Sequence, residues 1–274
     1  MTAAPALEST GPPVFVLAGG GRTGSTLMQR LLISTGEIMI WGEHGGVLLD
    51  ALQRFVFGAR QWIEDGNGAE QRDSFMRQGW NAWIPSLNPE QESFLDGARA
   101  ALLRTLAVPA ARLGYRRWGF KEIRYNGAAV GLLKTLFPDS AIVILVRHPE
   151  AALRSIKIAT WYGKDYDARP ETFLSRWAAS SSSLAACASA FGRVLVLRYE
   201  DLVGDSERVV AALAKHVGID AGRFDPAALK TRLRGRENDE PTPFDERDRV
   251  ALAAADVRQA AAALGYRLDE HPAI

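Results

Sequence analysis

Small and basic residues follow a short apolar run near the start of the chain, in a pattern suited to binding an anion. Val14–Ala18 is apolar with β-branched and aromatic members, Gly19 to Thr26 reads GGGRTGST, and leucines then recur at helical spacing. The pattern predicts a buried strand, a glycine-rich turn and a helix that Ser25 or Thr26 caps. Because a helix N-terminus offers unpaired N–H groups and a positive dipole end, the loop is predicted to hold a phosphate or a sulfate.

The cation of this loop stands in an unusual place. Nucleotide-binding loops of the form G-x-x-x-x-G-K-[ST] carry a lysine after the second glycine. Gly19 and Gly24 fit that form, but Ser25 occupies the lysine position. The loop carries Arg22 instead, whose planar fork suits two anionic oxygens. A tight turn between a strand and a helix, without a ligand, is the alternative interpretation.

Other polar residues stand where further strands are predicted to end. Apolar runs beginning at residue 38 and over 115–123, 140–146 and 193–199 predict four more strands. The polar residues at their ends are Glu43, Lys121, Arg147 with Ser155 eight residues later, and Tyr199. Ligands of open α/β sheets bind at the carboxyl ends of the strands, so these side chains are expected to converge with the loop. The set combines anion donors with one carboxylate and contains neither a metal cluster nor a Ser-His-Asp order.

The elements that must position these residues alternate between strand and helix. This alternation predicts a three-layer α/β fold with a mostly parallel, doubly wound central sheet. Residues 58–112 carry two or three helical patterns without a strand signal, which predicts a helical cap insertion over the sheet. The region 218–274 is less regular and ends in a helix predicted over 246–264. We expect residues 1–274 to form a single domain.

Charge and cysteine content exclude several classes of function. The chain has 33 basic and 32 acidic residues, so its net charge of +1 provides no field that would recruit nucleic acid or an anionic membrane. Cys187 is the only cysteine, which rules out an intrachain disulfide and favours a reducing compartment. Residues 1–12 lack the features of a signal peptide, and no 18 apolar residues run together. We therefore expect a cytoplasmic protein without an integral membrane segment, compatible with a homodimer.

Two segments resemble the sulfotransferases that use 3'-phosphoadenosine 5'-phosphosulfate (PAPS). GGGRTGSTLMQRLL is similar to the loop of that family that binds the 5'-phosphosulfate, and VILVRHPEAALRSI is similar to its 3'-phosphate motif. RYEDL at residues 198–202 also resembles a segment found in many members. The order and spacing of the segments make the resemblance specific over residues 13–202.

The resemblance implies a PAPS site that needs no metal and releases 3'-phosphoadenosine 5'-phosphate (PAP). The residues that it places on the 5'-phosphosulfate are Arg22, Thr23, Gly24, Ser25 and Thr26. Arg147 and Ser155 would hold the 3'-phosphate, and Tyr199 is a candidate to face the adenine. Arg234 and Gly235 lie where the family has a C-terminal loop over the 3'-phosphate, although the familiar Arg-Lys-Gly run is absent.

The resemblance also implies catalytic roles for the sulfuryl transfer. Glu43, in a Gly-Glu pair after the first helix, is the candidate base for the acceptor hydroxyl, and His44 is the alternative. Lys121 and Arg22 are candidates to neutralise the charge that develops on the leaving oxygen. An ion pair of Lys121 with Glu122 or Glu43 is the structural alternative for that lysine.

The sequence does not identify the acceptor. A hydroxyl of a small molecule, carbohydrate, lipid or peptide would fit, and an amine fits less well. Tryptophans 41, 62, 80, 83 and 118 either wall an acceptor pocket or, as we expect for most of them, form the core of the cap.

A P-loop kinase-like phosphotransferase that uses a nucleoside triphosphate is the second interpretation, and a nucleotide-binding module without catalysis is the third. The missing loop lysine and the Val146-Arg147-His148 strand end favour the sulfotransferase.

Overall fold

A five-stranded parallel sheet forms the centre of the computed structural model, which describes residues 11–58, 60, 63, 67–158, 169–230 and 243–268. The strand order is β2-β3-β1-β4-β5. The strands are β1 (Val14–Ala18), β2 (Ile38–Trp41), β3 (Arg117–Glu122), β4 (Ala141–Val146) and β5 (Val194–Arg198). All four neighbouring pairs run parallel, which confirms the predicted α/β class and its mostly parallel sheet.

Helices cover both faces of this sheet. They are α1 (Ser25–Ile33), α2 (Val47–Gly58), α3 (Gly68–Gln78), α4 (Gln91–Leu102), α5 (Val108–Arg112), α6 (Gly127–Leu136), α7 (Pro149–Ile158), α8 (Pro170–Ala190), α9 (Tyr199–Gly204), α10 (Ser206–Val217), α11 (Ala227–Lys230), α12 (Glu246–Leu252) and α13 (Ala255–Ala263). One face of the sheet is covered by α1, α9 and α10. The other face is covered by α2, α4, α6 and α8, so the fold has three layers with the sheet in the middle.

Strands β1 and β4 are buried along their whole length because the sheet is covered on both sides. Alternate residues of β1 therefore belong to two different cores. Phe15 and Leu17 pack with α6 and α8, whereas Val14 and Val16 pack with α1 and α10. Apolar side chains on both faces are typical of a central parallel strand. The position of β1 between β3 and β4 places its loop in the middle of the carboxyl edge of the sheet.

The segment between β2 and β3 is helical, as the sequence predicts. It contains α2 to α5, and a π-helical turn over Leu103–Ala107 links α4 to α5. Helix α4 buries Ala98 and Leu102 against the sheet layer that holds Phe15 and Trp118. Helix α3 begins at Gly68, and the prolines at 85 and 89 lie between α3 and α4. That residues 1–274 form one domain remains a prediction.

The single helix predicted over 246–264 is wrong, because the chain forms α12 and α13 there. Ala254 has extended backbone angles and separates the two helices. Both helices contact α8, and Ala251 of α12 and Val257 of α13 enter the same core. Since neither glycine nor proline marks the break, it follows from packing against α8 and not from local sequence preference.

Candidate active site

The loop between β1 and α1 takes left-handed backbone angles at three positions. They are Gly20 with φ 102°, Arg22 with φ 67° and Gly24 with φ 86°. The prediction that Ser25 or Thr26 caps α1 is wrong, because Gly24 is the N-cap and no side chain caps the helix. The first N–H groups of an α-helix have no partner within the helix, so this end of α1 is open to an anion.

Two positions in the loop require glycine, because neighbouring side chains leave no room for a Cβ atom. A Cβ atom at Gly24 would lie 2.3 Å from Cδ2 of Tyr199, and one at Gly19 would lie 2.1 Å from Oγ of Ser181. The Ser181 hydroxyl donates to the carbonyl oxygen of Gly19 at 3.1 Å. The loop is therefore packed tightly between the start of α9 and α8, and its shape depends on residues far away in the sequence.

Arg147, directly after β4, makes contact with the loop backbone. Its Nη1 donates to the carbonyl oxygen of Arg22 at 2.8 Å, and its guanidinium lies 4.1 Å from the centre of the Tyr199 ring. The Trp177 indole donates to the Arg147 carbonyl at 3.0 Å, which fixes the backbone as well. Burial lowers the pKa of Arg147, against the raising effect of Tyr199 and Glu200. Its Nε is closed to solvent and has no hydrogen-bond partner.

Ser155 and Thr23 make hydrogen bonds around Arg22 in the loop. Ser155 on α7 accepts a hydrogen bond from Nε of Arg22 at 3.0 Å. The Thr23 hydroxyl donates to the carbonyl oxygen of Gly20 at 3.2 Å, and Thr23 is fully buried. The structure thus brings the two predicted phosphate-binding segments into direct contact through Arg22. The Thr23 side chain stabilises the loop from within.

Lys121 and Glu43 lie on the other side of the loop. Lys121 sits opposite Val16 in the β1–β3 register, and its Nζ is 2.5 Å from Oε1 of Glu43 and 3.4 Å from Oγ1 of Thr26. Lys121 is buried, whereas the Glu43 side chain is 29% exposed. Of the two ion pairs considered for Lys121, the structure contains the one with Glu43.

Sequence reasoning missed the partner of Glu43 on its other oxygen. Arg124 donates through Nη1 to Oε2 of Glu43 at 2.9 Å and to Oε1 of Glu122 at 2.7 Å. Glu122 is fully buried and also accepts from the N–H groups of His44, Gly46 and its neighbour Ile123. Burial alone would raise the pKa of Glu122, but these hydrogen bonds outweigh it and the pKa is lowered. The buried carboxylate therefore stays ionised and ties the Glu43 segment to the end of β3.

His44, the alternative base, is poorly placed for that role. Neither of its ring nitrogens has a hydrogen-bond partner, and both are closed to solvent. Its ring packs edge-on against Phe120 with 4.7 Å between ring centres. Burial lowers the pKa of His44, against the raising effect of Glu122 and Glu43. Both ring nitrogens of His44 are thus turned away from solvent, whereas part of the Glu43 side chain is exposed.

The tryptophans divide in a way that the sequence did not predict. Trp118 is buried in the sheet core, and the Trp41 indole donates to the carbonyl oxygen of Leu106 at 2.9 Å. Trp80 and Trp83 are 84% and 83% exposed, so the expectation that most of the five form the core of the cap is wrong for these two. Trp62 lies outside the described residues.

Some predicted features lie beyond what the structure describes. Arg234 and Gly235, considered for the 3'-phosphate, are outside the described residues. Within the described ranges, no group of three histidine, cysteine, aspartate or glutamate side chains is placed to hold a metal ion. No helix in the described part of the chain is both long and apolar enough to cross a bilayer.

The fold defines an α/β protein with a glycine-rich loop at the carboxyl edge of its sheet. The chain belongs to the sulfotransferase family, whose model matches residues 12–223. That match confirms the family to which the two quoted segments pointed, and it supports sulfotransferase activity with a small-molecule acceptor. No curated protein matches the chain.

Solved structures share the fold at low identity. The sulfotransferase domain of the Synechococcus PCC 7002 olefin synthase is 22% identical, with a TM-score of 0.55 and coverage of 98% of this chain and 99% of that one. The sulfotransferase domain of the curacin biosynthetic pathway is 16% identical, with a TM-score of 0.54 over 95% and 100% of the two chains. A sulfotransferase from Alicyclobacillus acidocaldarius is 15% identical, with a TM-score of 0.53 over 95% and 98%.

Proposed function

We propose that the protein transfers the sulfuryl group of PAPS to an acceptor hydroxyl by in-line displacement and releases PAP. One observation carries this proposal. An unbroken set of contacts runs from Glu43 through Lys121 to Thr26 on one side of the loop, and the loop continues to Arg22 and Ser155 on the other. The residues proposed as base, cation and anion ligands thus line one edge of the sheet, which supports an in-line transfer.

The residues present fit a donor with an anion at each end. The uncapped N-terminus of α1 and the Arg22 fork suit the 5'-phosphosulfate, with the N–H groups of residues 23 to 26 close by. The unpartnered Nε of Arg147 and the hydroxyl of Ser155 suit the 3'-phosphate. Tyr199 packs on Gly24 and Arg147 and offers a ring for the adenine.

Each atom of the transfer has a place in this arrangement. The acceptor oxygen attacks the sulfur and gives its proton to Glu43, while the bond between sulfur and the bridging oxygen breaks. The electron pair of that bond stays on the phosphate of PAP. Lys121 and Arg22 neutralise the charge that develops there, since fixed cations at a leaving oxygen stabilise the transition state. No metal takes part in the proposed step.

Two ion pairs orient Glu43, the proposed base. Lys121 and Arg124 each hold one of its oxygens, so the group is oriented before the acceptor arrives. When Lys121 turns to the leaving oxygen, Arg124 still holds Oε2.

We propose a hydroxyl of a small molecule, carbohydrate, lipid or peptide as the acceptor. The cytoplasmic location and the homodimer remain predictions.

Calorimetric titration with PAP, and separately with ATP and magnesium, tests the donor. Wild type is compared with Arg147→Met and with Arg223→Met. Arg223 pairs with Glu37 ahead of β2, at the opposite edge of the sheet, and serves as the matched control. We expect PAP to bind without metal, Arg147→Met to weaken binding and Arg223→Met to leave it unchanged. Binding of ATP with magnesium but not of PAP would overturn the proposal in favour of a kinase-like enzyme.

A further inference from the structure

Arg147 makes a direct contact with the backbone of the loop after β1. Nη1 of Arg147 lies 2.8 Å from the carbonyl oxygen of Arg22, a residue 125 positions away in sequence. Arg22 has φ 67°, which lies in the left-handed region. This conformation is unfavourable for a residue with a side chain, because Cβ comes close to the carbonyl oxygen. A residue in such a conformation persists only when its surroundings hold it there. The guanidinium supplies a charge-assisted hydrogen bond at that carbonyl.

Arg147 is itself held in place from two directions. The indole of Trp177, on α8, donates to its carbonyl at 3.0 Å. The Tyr199 ring, at the end of β5, lies under its guanidinium at 4.1 Å and also fills the space beside Gly24. The side chain therefore connects the end of β4 and the start of α9 to the loop after β1. These contacts link the position of Arg147 to the shape of the loop.

We propose that Arg147 is a positioning residue for the 5'-phosphosulfate loop, in addition to any contact it makes with the 3'-phosphate. It holds the Arg22 carbonyl and so keeps the loop in the conformation that binds the transferred group. Recognition at the 3' end of the donor is thereby coupled to the shape of the site at the 5' end. This inference rests on the proposed donor.

A donor analogue without a 3'-phosphate separates the two roles. Adenosine 5'-phosphosulfate has the reacting group but offers Arg147 no 3'-phosphate. We expect Arg147→Met to weaken binding of this analogue about tenfold or more, the usual effect of losing a hydrogen bond from a charged group, as well as binding of PAP. Methionine retains an apolar stem against Tyr199, and thermal unfolding checks that the variant is folded. If the variant weakens PAP but leaves the analogue unchanged, Arg147 is only a 3'-phosphate ligand and the inference fails.

Hydrogen exchange of the ligand-free protein gives a second, independent readout. The peptide covering residues 14–28 should exchange faster in Arg147→Met than in wild type, because the loop loses its anchor. Arg223→Met, the matched control, should leave this peptide unchanged. Equal exchange in wild type and Arg147→Met would overturn the inference. Since no ligand is present, this result is separate from failure of the donor proposal, which would show as wild-type protein that does not bind PAP.

Discussion

Lys121 and Glu43 form an ion pair with 2.5 Å between Nζ and Oε1. The residues proposed as the cation and the base therefore hold one another in position before a substrate binds. Lys121 is buried and comes from β3, whereas Glu43 follows β2 and keeps part of its carboxylate open. The pair marks the point at which the donor and the acceptor would meet.

Replacing Glu43 by glutamine should stop proton transfer and spare donor binding. Glutamine keeps an oxygen for Lys121 but does not accept a proton at neutral pH. We expect turnover to fall about 100-fold or more, the usual contribution of general base catalysis, with little change in the Kd of PAP. Transfer of ³⁵S from labelled PAPS to an acceptor found by screening alcohols and phenols measures turnover. Glu37→Gln, ahead of β2, is the control, and full activity of Glu43→Gln would show that the base lies elsewhere.

Replacing Gly24 by alanine should disturb the donor site through Tyr199. The new Cβ would lie 2.3 Å from the ring, at a residue with φ 86°. Moving the ring displaces the surface on which Arg147 rests, so we expect PAP affinity to fall about tenfold or more. Gly36→Ala is the matched control, because Gly36 also has a left-handed φ of 69° but has nothing within 4 Å. If both variants bind PAP equally well, the contact with Tyr199 does not shape the site.

Replacing Glu122 by glutamine should destabilise the fold. The amide nitrogen of glutamine would face N–H donors that the carboxylate now satisfies, and Arg124 would lose a buried partner. We expect the free energy of unfolding to drop by about 2–4 kcal/mol. Urea unfolding at pH 7 measures the change, with Glu171→Gln as the control because the Glu171–Arg247 pair is exposed. Equal stability of Glu122→Gln and wild type would mean that the buried charge is not needed.

His216 should make the protein less stable in mild acid. Its Nε2 lies 3.1 Å from the carbonyl oxygen of Ile142, and burial lowers its pKa, with Arg193, Lys134 and Arg117 adding to the effect. Because the folded pKa lies below the ordinary value of 6.5, the stability is complete above that pH and is lost as the pH falls through the folded pKa. Urea unfolding at pH 7.5 and pH 5 (about one unit above and about one and a half units below the ordinary pKa) should show a smaller loss of stability for His216→Gln than for wild type. An equal loss in both would exclude His216 as the cause.

Much of the fold could be predicted from periodicity alone. All five strands lie where apolar runs predict them, because β1 and β4 are apolar on both faces and glycine, proline or charge marks the ends. The strand order could not be read in this way, since it depends on which strands pair across long separations. The break at Ala254 was missed for a similar reason, because it depends on packing against α8.

The site was partly predictable for a different reason. Residues at the carboxyl ends of parallel strands share one edge of a sheet. The topology therefore predicts that Arg147 and Lys121 lie close to the loop that carries Arg22. Arg124 and Glu122 were missed because a charged pair at the end of a strand normally lies in solvent. Only the fold shows that Glu122 is fully buried beneath the Glu43 segment.

The central place of β1 in the sheet has a consequence for biosynthesis. The ribosome delivers β1 and its loop first, but their neighbours β3 and β4 and the supports Arg147 and Tyr199 follow much later in the chain. A nascent chain that stops before Tyr199 carries the whole glycine-rich segment without the contacts that shape it. The proposed donor site is therefore complete only late in synthesis, after the fifth strand and Tyr199 have emerged.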